Sequence, residues 1–359
     1  MSGGPIATEV GDVGLAGTPA APVLAIETSC DETAAAVVTS DLVVASSVVS
    51  SQVDLHARYG GVVPEIASRA HVELIVPIVS EALRQAGLDP QGGVATGQPS
   101  LGAVAATIGP GLVGSLLVGV SMAKSLAMAW SVPFVGVNHL EGHLYASLLD
   151  DPDMSLPVVV LLVSGGHTLL VKMSAPGHYE LLGRTIDDAA GEAFDKVARY
   201  LDLGYPGGPA IDGIAKEGDP RAIGFPRARL SGEFDFSFSG LKTAVVNYVR
   251  AHPEARTPDV AASFQQSVVD VLVDKTFAAA ESTGAKAVCL GGGVAANSLL
   301  RAAAREAGGR RGLAVHVPSR AMCTDNAAMI GAAAHFRLRS HGASGWGTGA
   351  EPGMALPAG

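Results

Sequence analysis

Two histidines four residues apart are the side chains of this sequence most suited to chemistry. They belong to the hexapeptide NHLEGH at residues 138–143, where an apolar strand predicted over 133–137 gives way to a helix. Residues four apart are about 40° apart around a helix axis, so both imidazoles leave the same face. Imidazole is the commonest protein metal ligand, and the pair suits one divalent ion. The alternative is a pair of helix-start histidines bonded to backbone or solvent, because two ligands do not complete a site.

A carboxylate that could complete such a site precedes the last predicted helix, 327–338. The tetrapeptide CTDN at 323–326 places Asp325 there. An aspartate at this position is either the N-cap of the helix or an available metal ligand.

Each half of the sequence opens with strands joined by a small polar turn. Strand 23–27 is followed by TSCDET at 28–33, a strand at 34–38 and another near 43–50. Strand 158–163 is followed by SGGHT at 164–168 and by strands at 169–173 and 179–186. A repeated unit is stronger evidence of architecture than either turn alone. The layout predicts a duplicated α/β fold with a ligand held between facing turns.

Glycine-rich turns indicate where a nucleotide could approach the backbone. Strand 287–290 runs into Gly291, Gly292 and Gly293, and Asn297 lies on the helix that follows. Backbone N–H groups at a helix start favour phosphate, and an asparagine side chain both donates and accepts hydrogen bonds. We expect a Cβ at Gly165 or Gly292 to obstruct the ligand without unfolding the chain.

Composition limits the function classes. The composition, 48% apolar and 16% charged, is typical of a packed protein. The length of 359 residues exceeds what one hydrophobic core usually serves. The net charge of −10 argues against a large nucleic-acid surface built by this chain alone. Three scattered cysteines without CxxC spacing predict no disulfide framework, which fits a cytoplasmic location.

The predicted domain organisation is two lobes between two tails. We expect disordered tails at 1–21 and 340–359, a first lobe at 22–150 and a second at 151–324. The final helix, at about 325–339, is expected to pack back on the first lobe. The apolar run 111–137 is not predicted to span a membrane, because Lys124 lies within it and Pro133 breaks it.

Eight motifs in order resemble one known family. They are ETSCDET at 27–33, HLEGH at 139–143, LVSGGH at 162–167, DDAAGEAFDK at 187–196, YPGGP at 205–209, FSFSGLK at 236–242, GGGVAAN at 291–297 and CTDN at 323–326. The family is the tRNA N6-adenosine threonylcarbamoyltransferases, once called O-sialoglycoprotein endopeptidases. The resemblance covers roughly residues 23–338.

The resemblance implies a fold, a site and a reaction. The fold would be the two-lobe actin-like fold of the sugar kinase and Hsp70 superfamily, with the ligand cleft between the lobes. His139, His143 and Asp325 would bind one divalent ion, Fe2+ or alternatively Zn2+. The pocket for threonylcarbamoyl-AMP would be lined by Leu162, Val163, Ser164, Gly165, Gly166, Asp195, Gly208, Asp212 and Asn297. The enzyme would transfer the threonylcarbamoyl group to N6 of adenosine 37 in tRNAs that read codons beginning with A (t6A formation).

Some roles stay open at this point. No general base stands out, and Asp31 and Glu32 are candidates only. By resemblance, the partners would be the tRNA anticodon loop, a paralogous actin-like protein and a small P-loop ATPase, without a membrane. A zinc protease is the first alternative, but it would need the glutamate directly after the first histidine, and Glu141 comes one residue later. The second, a sugar kinase or ATPase of the same fold, has no need of the histidine pair.

Overall fold

The computed structural model describes residues 21–88, 101–151, 154–228 and 232–357. Nearly all of the predicted N-terminal tail, residues 1–20, lies outside these ranges. So do Pro152 and Asp153 of the turn between the predicted lobes. Within the described ranges, no helix is long and apolar enough to cross a membrane.

The first sheet has the strand order β3-β2-β1-β4-β5. Its strands are β1 (Val23–Glu27), β2 (Glu32–Val38), β3 (Val44–Ser51), β4 (Ala103–Gly109) and β5 (Phe134–Asn138). β1 pairs antiparallel with β2 and parallel with β4. The helices of this half are α1 (Val53–Ala57), α2 (Pro64–Gln85), α3 (Val113–Ala129) and α4 (His139–Asp150).

The second sheet repeats this arrangement, because its order is β10-β9-β6-β7-β8. Its strands are β6 (Val158–Val163), β7 (Thr168–Ala175), β8 (His178–Arg184), β9 (Ala287–Gly291) and β10 (Ala314–His316). β6 pairs antiparallel with β7 and parallel with β9, as β1 does with β2 and β4. The predicted duplication is confirmed.

In the described part of the chain, seven α-helices come after β8. They are α5 (Ala190–Tyr200), α6 (Gly207–Ile214), α7 (Ser239–Ala251), α8 (Thr257–Ser282), α9 (Ser298–Arg311), α10 (Arg320–Cys323) and α11 (Ala327–His341). The last one lies on the first sheet. Its Gly331 packs so tightly that a Cβ there would lie 2.5 Å from Val38 Cγ2. β1 and β6 are buried throughout, as expected for central strands covered on both faces.

The structure decides two local features. In the segment Phe234–Phe238, an isolated bridge joins Phe236 to Thr185. Its Phe236 and Phe238 rings are fully buried in the second core, so they are not available for stacking on a base. The N-cap of α11 is Asn326, whose Oδ1 accepts a hydrogen bond from Met329 N, so Asp325 is not the cap.

The C-terminal residues were expected to be disordered, and within the described range they are not. Residues 342–357 lie against the first sheet, where Ser344 N donates to Phe134 O at 2.8 Å and Glu351 N donates to Ile108 O at 2.7 Å. A Gly/Ser/Ala/Pro composition has no hydrophobic period, but backbone hydrogen bonds to an open strand edge do not require one.

Candidate metal centre and substrate site

The two histidines lie in the first two turns of α4. Asn138 caps the helix, with its Oδ1 accepting hydrogen bonds from Leu140 N at 2.9 Å and Glu141 N at 3.2 Å. The His139 and His143 rings leave the same face with their centroids 4.7 Å apart, and both side chains are buried. The predicted geometry of the pair is therefore present.

Asp325 faces this pair. Its Oδ1 lies 3.2 Å from His143 Nε2 and 3.6 Å from His139 Nε2. One ligand atom from each of the three residues lies within 4.8 Å of the other two. These three residues are the ones that were predicted to meet.

His143 supplies a test of whether a cation fits there. Its side chain is 1% exposed, yet neither ring nitrogen makes a well-aligned hydrogen bond in the described part of the chain: Nδ1 has no partner there, and Nε2 has only the 3.2 Å contact with Asp325 Oδ1. Buried polar atoms are normally partnered, and an orphaned pair requires an explanation. Two imidazoles and a carboxylate form a donor set that suits Zn2+ or Fe2+. The residues fit a divalent ion.

Glu27, at the end of β1, orients the His139 ring by binding its Nδ1 atom. Its fully buried Oε2 accepts a hydrogen bond from His139 Nδ1 at 3.0 Å and another from Thr107 Oγ1 at 2.6 Å. A carboxylate on Nδ1 leaves Nε2 free to face a metal. Sequence reasoning missed Glu27 as a site residue, although a charged residue that ends a buried strand was a signal.

The charges of this cluster are interdependent. Burial alone would lower the pKa of His139, but the charges of Asp325 and Glu27 raise it to about 9. Burial opposes ionisation of Asp325, yet the two histidines hold the pKa of its carboxyl well below the usual range. The cluster therefore keeps its carboxylates ionised and accommodates positive charge.

Of the candidate bases, Asp31 ends the turn between β1 and β2, and Glu32 is the first residue of β2. Asp31 is buried, and Glu32 Oε1 accepts a hydrogen bond from Ser51 Oγ at 3.1 Å. Burial, followed by the negative charges of Asp325 and Asp31, raises the pKa of Glu32 to about 9. Glu32 thus lies within electrostatic reach of the metal centre, but it holds a proton at neutral pH unless a cation compensates.

The turn between β6 and β7 approaches the centre from the second lobe. Ser164 Oγ accepts a hydrogen bond from His167 N at 3.2 Å, and burial together with the charges of His139 and His143 lowers the pKa of His167 to about 4. His167, absent from the predicted site residues, is therefore close to the metal ligands. Its position in the motif LVSGGH was the available signal.

The turn glycines and the strand residues before them differ in what they can offer a ligand. Gly165 and Gly166 are exposed, and nothing lies within 4 Å of a Cβ built on either. Leu162 and Val163 are fully buried within the sheet, so neither presents an exposed atom to a ligand in this structure. The backbone of this turn is accessible for the approach that was predicted.

The glycine-rich turn after β9, residues 291–293, has a partly different role from the one predicted. Gly292 has φ +83°, and a Cβ there would lie 2.5 Å from Val163 O. Gly292 is therefore required by the packing of the chain on itself, and the expectation that its substitution would spare the fold is wrong. At Gly293 a Cβ would meet nothing within 4 Å, so that residue can face a ligand.

Asp195 lines a pocket between the lobes, whereas Gly208 is not among the residues that line it. The pocket has a volume of about 250 Å³ and is lined by Asp195 and Tyr205 together with Ala57, Gly60, Arg199, Asp202 and Gly204. Asp195 Oδ1 accepts a hydrogen bond from Gly207 N at 2.8 Å, and burial raises the pKa of this carboxyl. Gly208, in the first turn of α6, has open space at its Cβ position.

Asp212 and Asn297 already have protein partners. Asp212 Oδ1 accepts a hydrogen bond from Ser298 Oγ at 2.7 Å. Asn297 caps α9, with Oδ1 accepting from Leu300 N at 3.0 Å and Nδ2 donating to Gln265 Oε1 at 2.8 Å. These contacts fix the start of α9 beside the turn at 291–293 and leave few hydrogen-bonding positions of Asp212 and Asn297 for a ligand.

Comparison with known proteins identifies the family. A family model described as tRNA N6-adenosine threonylcarbamoyltransferase matches residues 43–332. This chain belongs to that family. A curated relative of the same description from Symbiobacterium thermophilum is 53% identical over 93% of this chain and 96% of its own length. Another from Moorella thermoacetica is 56% identical over 88% of this chain and 91% of its own length.

The activity and the fold follow from these comparisons. The chain is an acyltransferase that acts on N6 of adenosine in tRNA, and its substrate is therefore tRNA. Among solved structures, HypF from T. kodakarensis superposes with a TM-score of 0.61 at 16% identity, over 91% of this chain and 50% of that one. The (R)-2-hydroxyglutaryl-CoA dehydratase component A of Acidaminococcus fermentans gives 0.52 at 14% identity, over 89% and 100%. The fold is actin-like.

Proposed function

We propose that the chain transfers the threonylcarbamoyl group from threonylcarbamoyl-AMP to N6 of adenosine 37 in tRNAs that read codons beginning with A. The transfer would use one divalent ion held by His139, His143 and Asp325. The observation that carries the proposal is the buried His143 imidazole, which faces Asp325 Oδ1 at 3.2 Å and makes no well-aligned hydrogen bond with any described residue. Because the substrate tRNA is cytoplasmic, we place the enzyme in the cytoplasm.

The ion we propose is Fe2+, with Zn2+ as the alternative. Two imidazoles and one carboxylate leave coordination positions open, and both metals accept this donor set. When bound, the ion would supply a Lewis acid toward an oxygen of the acyl donor.

The protein residues would position the donor. The exposed backbone of Gly165, Gly166 and Gly293 has room for a phosphate or carbonyl oxygen to approach its N–H groups. An adenine amine is a weak nucleophile, because its lone pair is delocalised into the ring. Orientation of the amine toward the activated carbonyl is therefore what this site must provide. Asp31 and Glu32 remain our candidates for the proton acceptor.

We propose two kinds of partner besides the substrates. The outer face of α2 and α3 exposes apolar side chains at Val72, Val76, Val113 and Leu117, which supports docking of another protein. By resemblance to the family, that partner is a paralogous actin-like protein, and a small P-loop ATPase joins the complex. A Val72→Glu/Val76→Glu variant should lose the complex on a sizing column and keep its own Tm.

We also propose that productive tRNA binding requires this complex. The net charge of −10 opposes phosphate binding, which supplies most RNA affinity. Arg221, Arg227 and Arg229 lie close together in the sequence and are the candidate RNA contacts of this chain. Arg227 is paired with Asp270, Arg221 is exposed, and Arg229 lies outside the described residues. Filter binding of anticodon stem-loop RNA at near-physiological salt should give sub-micromolar affinity only when partners are added.

The metal centre is tested by elemental analysis. His143→Ala and Asp325→Ala proteins should lose the bound metal and t6A formation in a reconstituted assay. His178→Ala is the matched control, because His178 is exposed on β8, outside the ligand cluster. Full metal content in both ligand variants would contradict the proposal. Nucleoside mass spectrometry of tRNA from a depleted strain, restored by the wild-type chain, tests the reaction itself.

A further inference from the structure

The segment that follows α11, residues 342–357, binds the outer edge of the first sheet; we call it the strap. Ser344 N donates to Phe134 O at 2.8 Å, and Gly136 N donates to Ser344 Oγ at 2.9 Å. Both Phe134 and Gly136 belong to β5, the last strand in the sheet order. Lys124 Nζ of α3 donates to Trp346 O at 2.8 Å. The strap therefore covers an edge that would otherwise present unpaired backbone groups.

Further along, the strap reaches the carboxyl ends of β4 and β5, where the metal centre begins. Glu351 N donates to Ile108 O at 2.7 Å, and Gly111 N donates to Pro352 O at 3.1 Å. The strap approaches the first lobe most closely at Gly109. A Cβ built on this residue would lie 2.0 Å from Glu351 O. The sequence of the first lobe thus makes room for the strap at this point.

Asn138 connects the strap to α4. Its Nδ2 donates to Ala355 O at 2.8 Å, while its Oδ1 caps the helix through Leu140 N and Glu141 N. The two ends of an amide are not interchangeable, because the nitrogen only donates and the oxygen only accepts. The strap carbonyl therefore fixes which end of Asn138 faces the helix, and His139 is the next residue.

The strap is attached mainly through its backbone. Most of its side chains are exposed, including Trp346, and only Met354 and Leu356 pack against the cores. It lies beyond residue 332, where the match to the family model ends. Its attachment can therefore be removed by changing a few hydrogen bonds without emptying a core.

We propose that the strap positions the metal centre, and that Asn138 is the positioning residue through which it acts. By holding Asn138, the strap keeps the first turn of α4 in place, so that His139 stays between Glu27 and Asp325. This inference rests on the metal centre of the proposed function. The loss of the strap should loosen the start of α4 and weaken metal binding, although no strap residue is a ligand.

Two variants of the full protein separate this role from general stability. Asn138→Asp keeps an oxygen to cap α4 but replaces the donor that meets Ala355 O. A chain that ends after His341 removes the strap altogether. Ser344→Ala is the matched control, because it changes the strap at the edge of β5 and leaves the Asn138–Ala355 bond.

The first readout requires no metal. Hydrogen–deuterium exchange of the metal-free protein should be faster in peptides covering 134–150 for Asn138→Asp and for the shortened chain. Peptides of the second lobe should be unchanged. In Ser344→Ala only the Gly136 amide, which loses its acceptor, should exchange faster, and peptides covering 139–150 should be unchanged. Unchanged protection of 134–150 in both variants would overturn the inference.

The second readout is Zn2+ affinity, measured by competition with a chromophoric chelator. The dissociation constant should rise about tenfold in both variants, in the range seen when outer-shell partners of metal ligands are removed. Combining the two changes should add little, because they break the same link. If the wild-type protein binds no Zn2+ but both variants still exchange faster over 134–150, the proposed metal centre is refuted and the strap's role in holding the start of α4 stands. Wild-type affinity in both variants would refute the strap's effect on the metal and leave the centre in place.

Discussion

Glu141 Oε2, in the first turn of α4, accepts a hydrogen bond from Arg337 Nη1 of α11 at 2.9 Å. Its other oxygen, Oε1, accepts one from Tyr179 OH of β8 at 3.1 Å. Glu141 therefore ties the histidine helix to the last helix and to the second sheet. Both oxygens are occupied on the side away from the metal ligands, so Glu141 cannot act as the general base of a zinc protease.

Glu141→Ala should lower the free energy of unfolding by roughly 3 kcal/mol, because it leaves the Arg337 charge and the Tyr179 hydroxyl without their partner. Metal content should stay at the wild-type level in the folded protein. Glu65→Ala, which breaks the exposed pair with Arg69, is the control and should cost less than about 1 kcal/mol. Denaturant unfolding and elemental analysis measure the two effects. Metal loss at unchanged stability would place Glu141 at the metal instead.

Glu27→Gln should weaken metal binding by about 10- to 100-fold, because it removes the negative partner of His139 Nδ1. Thr107→Val is the control, since it removes one hydrogen bond to Glu27 and keeps the carboxylate. Its effect should be several-fold smaller. Titration against a competing chelator gives both dissociation constants. Equal affinities for Glu27→Gln and the wild-type chain would show that Glu27 does not orient the ligand.

Glycine substitutions should separate packing from ligand binding. Gly292→Ala places a Cβ against Val163 O at a positive φ, so we expect it to lower Tm by several degrees. Gly165→Val and Gly293→Val have open space and should keep the wild-type Tm. Calorimetry with AMP or a stable adenylate analogue should show weaker binding in the two valine variants. Unchanged affinity in both would remove these turns from the nucleotide site.

Asp188 links two segments of the second lobe in a pH-dependent manner. Its Oδ1 accepts a hydrogen bond from Lys196 Nζ at 2.9 Å, and its Oδ2 accepts one from Lys242 Nζ at 3.0 Å. Partial burial opposes ionisation, but the two lysines lower the pKa of this carboxyl. A depressed pKa stabilises the fold above the unfolded-state value, and this contribution is lost as the pH falls through the folded-state value.

Asp188→Asn should therefore destabilise the protein by about 1 kcal/mol at pH 7, because these pairs are only partly buried. The difference from the wild-type chain should begin to shrink below about pH 4, the unfolded-state pKa of an aspartate, and should continue to shrink as the pH falls through the lower folded-state pKa. Urea unfolding at both pH values measures this change. A difference that is constant from pH 7 to pH 3 would assign the effect to packing rather than to charge.

Much of the architecture could be predicted from local sequence patterns. Apolar runs between small polar turns fixed the central strands, and helical periodicity placed His139 and His143 on one face. These signals are read within one element, because strand and helix geometry determine the direction of each side chain. The motifs that resemble the family also brought Asp325 to the histidines, although the spacing of Asp325 alone left it as a possible helix cap.

Other features depended on contacts between residues far apart in the sequence. Glu27 lies beside His139, and His167 lies near both histidines, only because the fold brings together residues that are far apart in the sequence. Gly292 resembles a ligand-binding glycine until the nearby Val163 carbonyl is known. The strap has a composition typical of disorder, and its order comes from backbone groups of β5 and from Asn138. Backbone hydrogen bonds leave little trace in side-chain composition, so only the tertiary structure could decide where that segment binds.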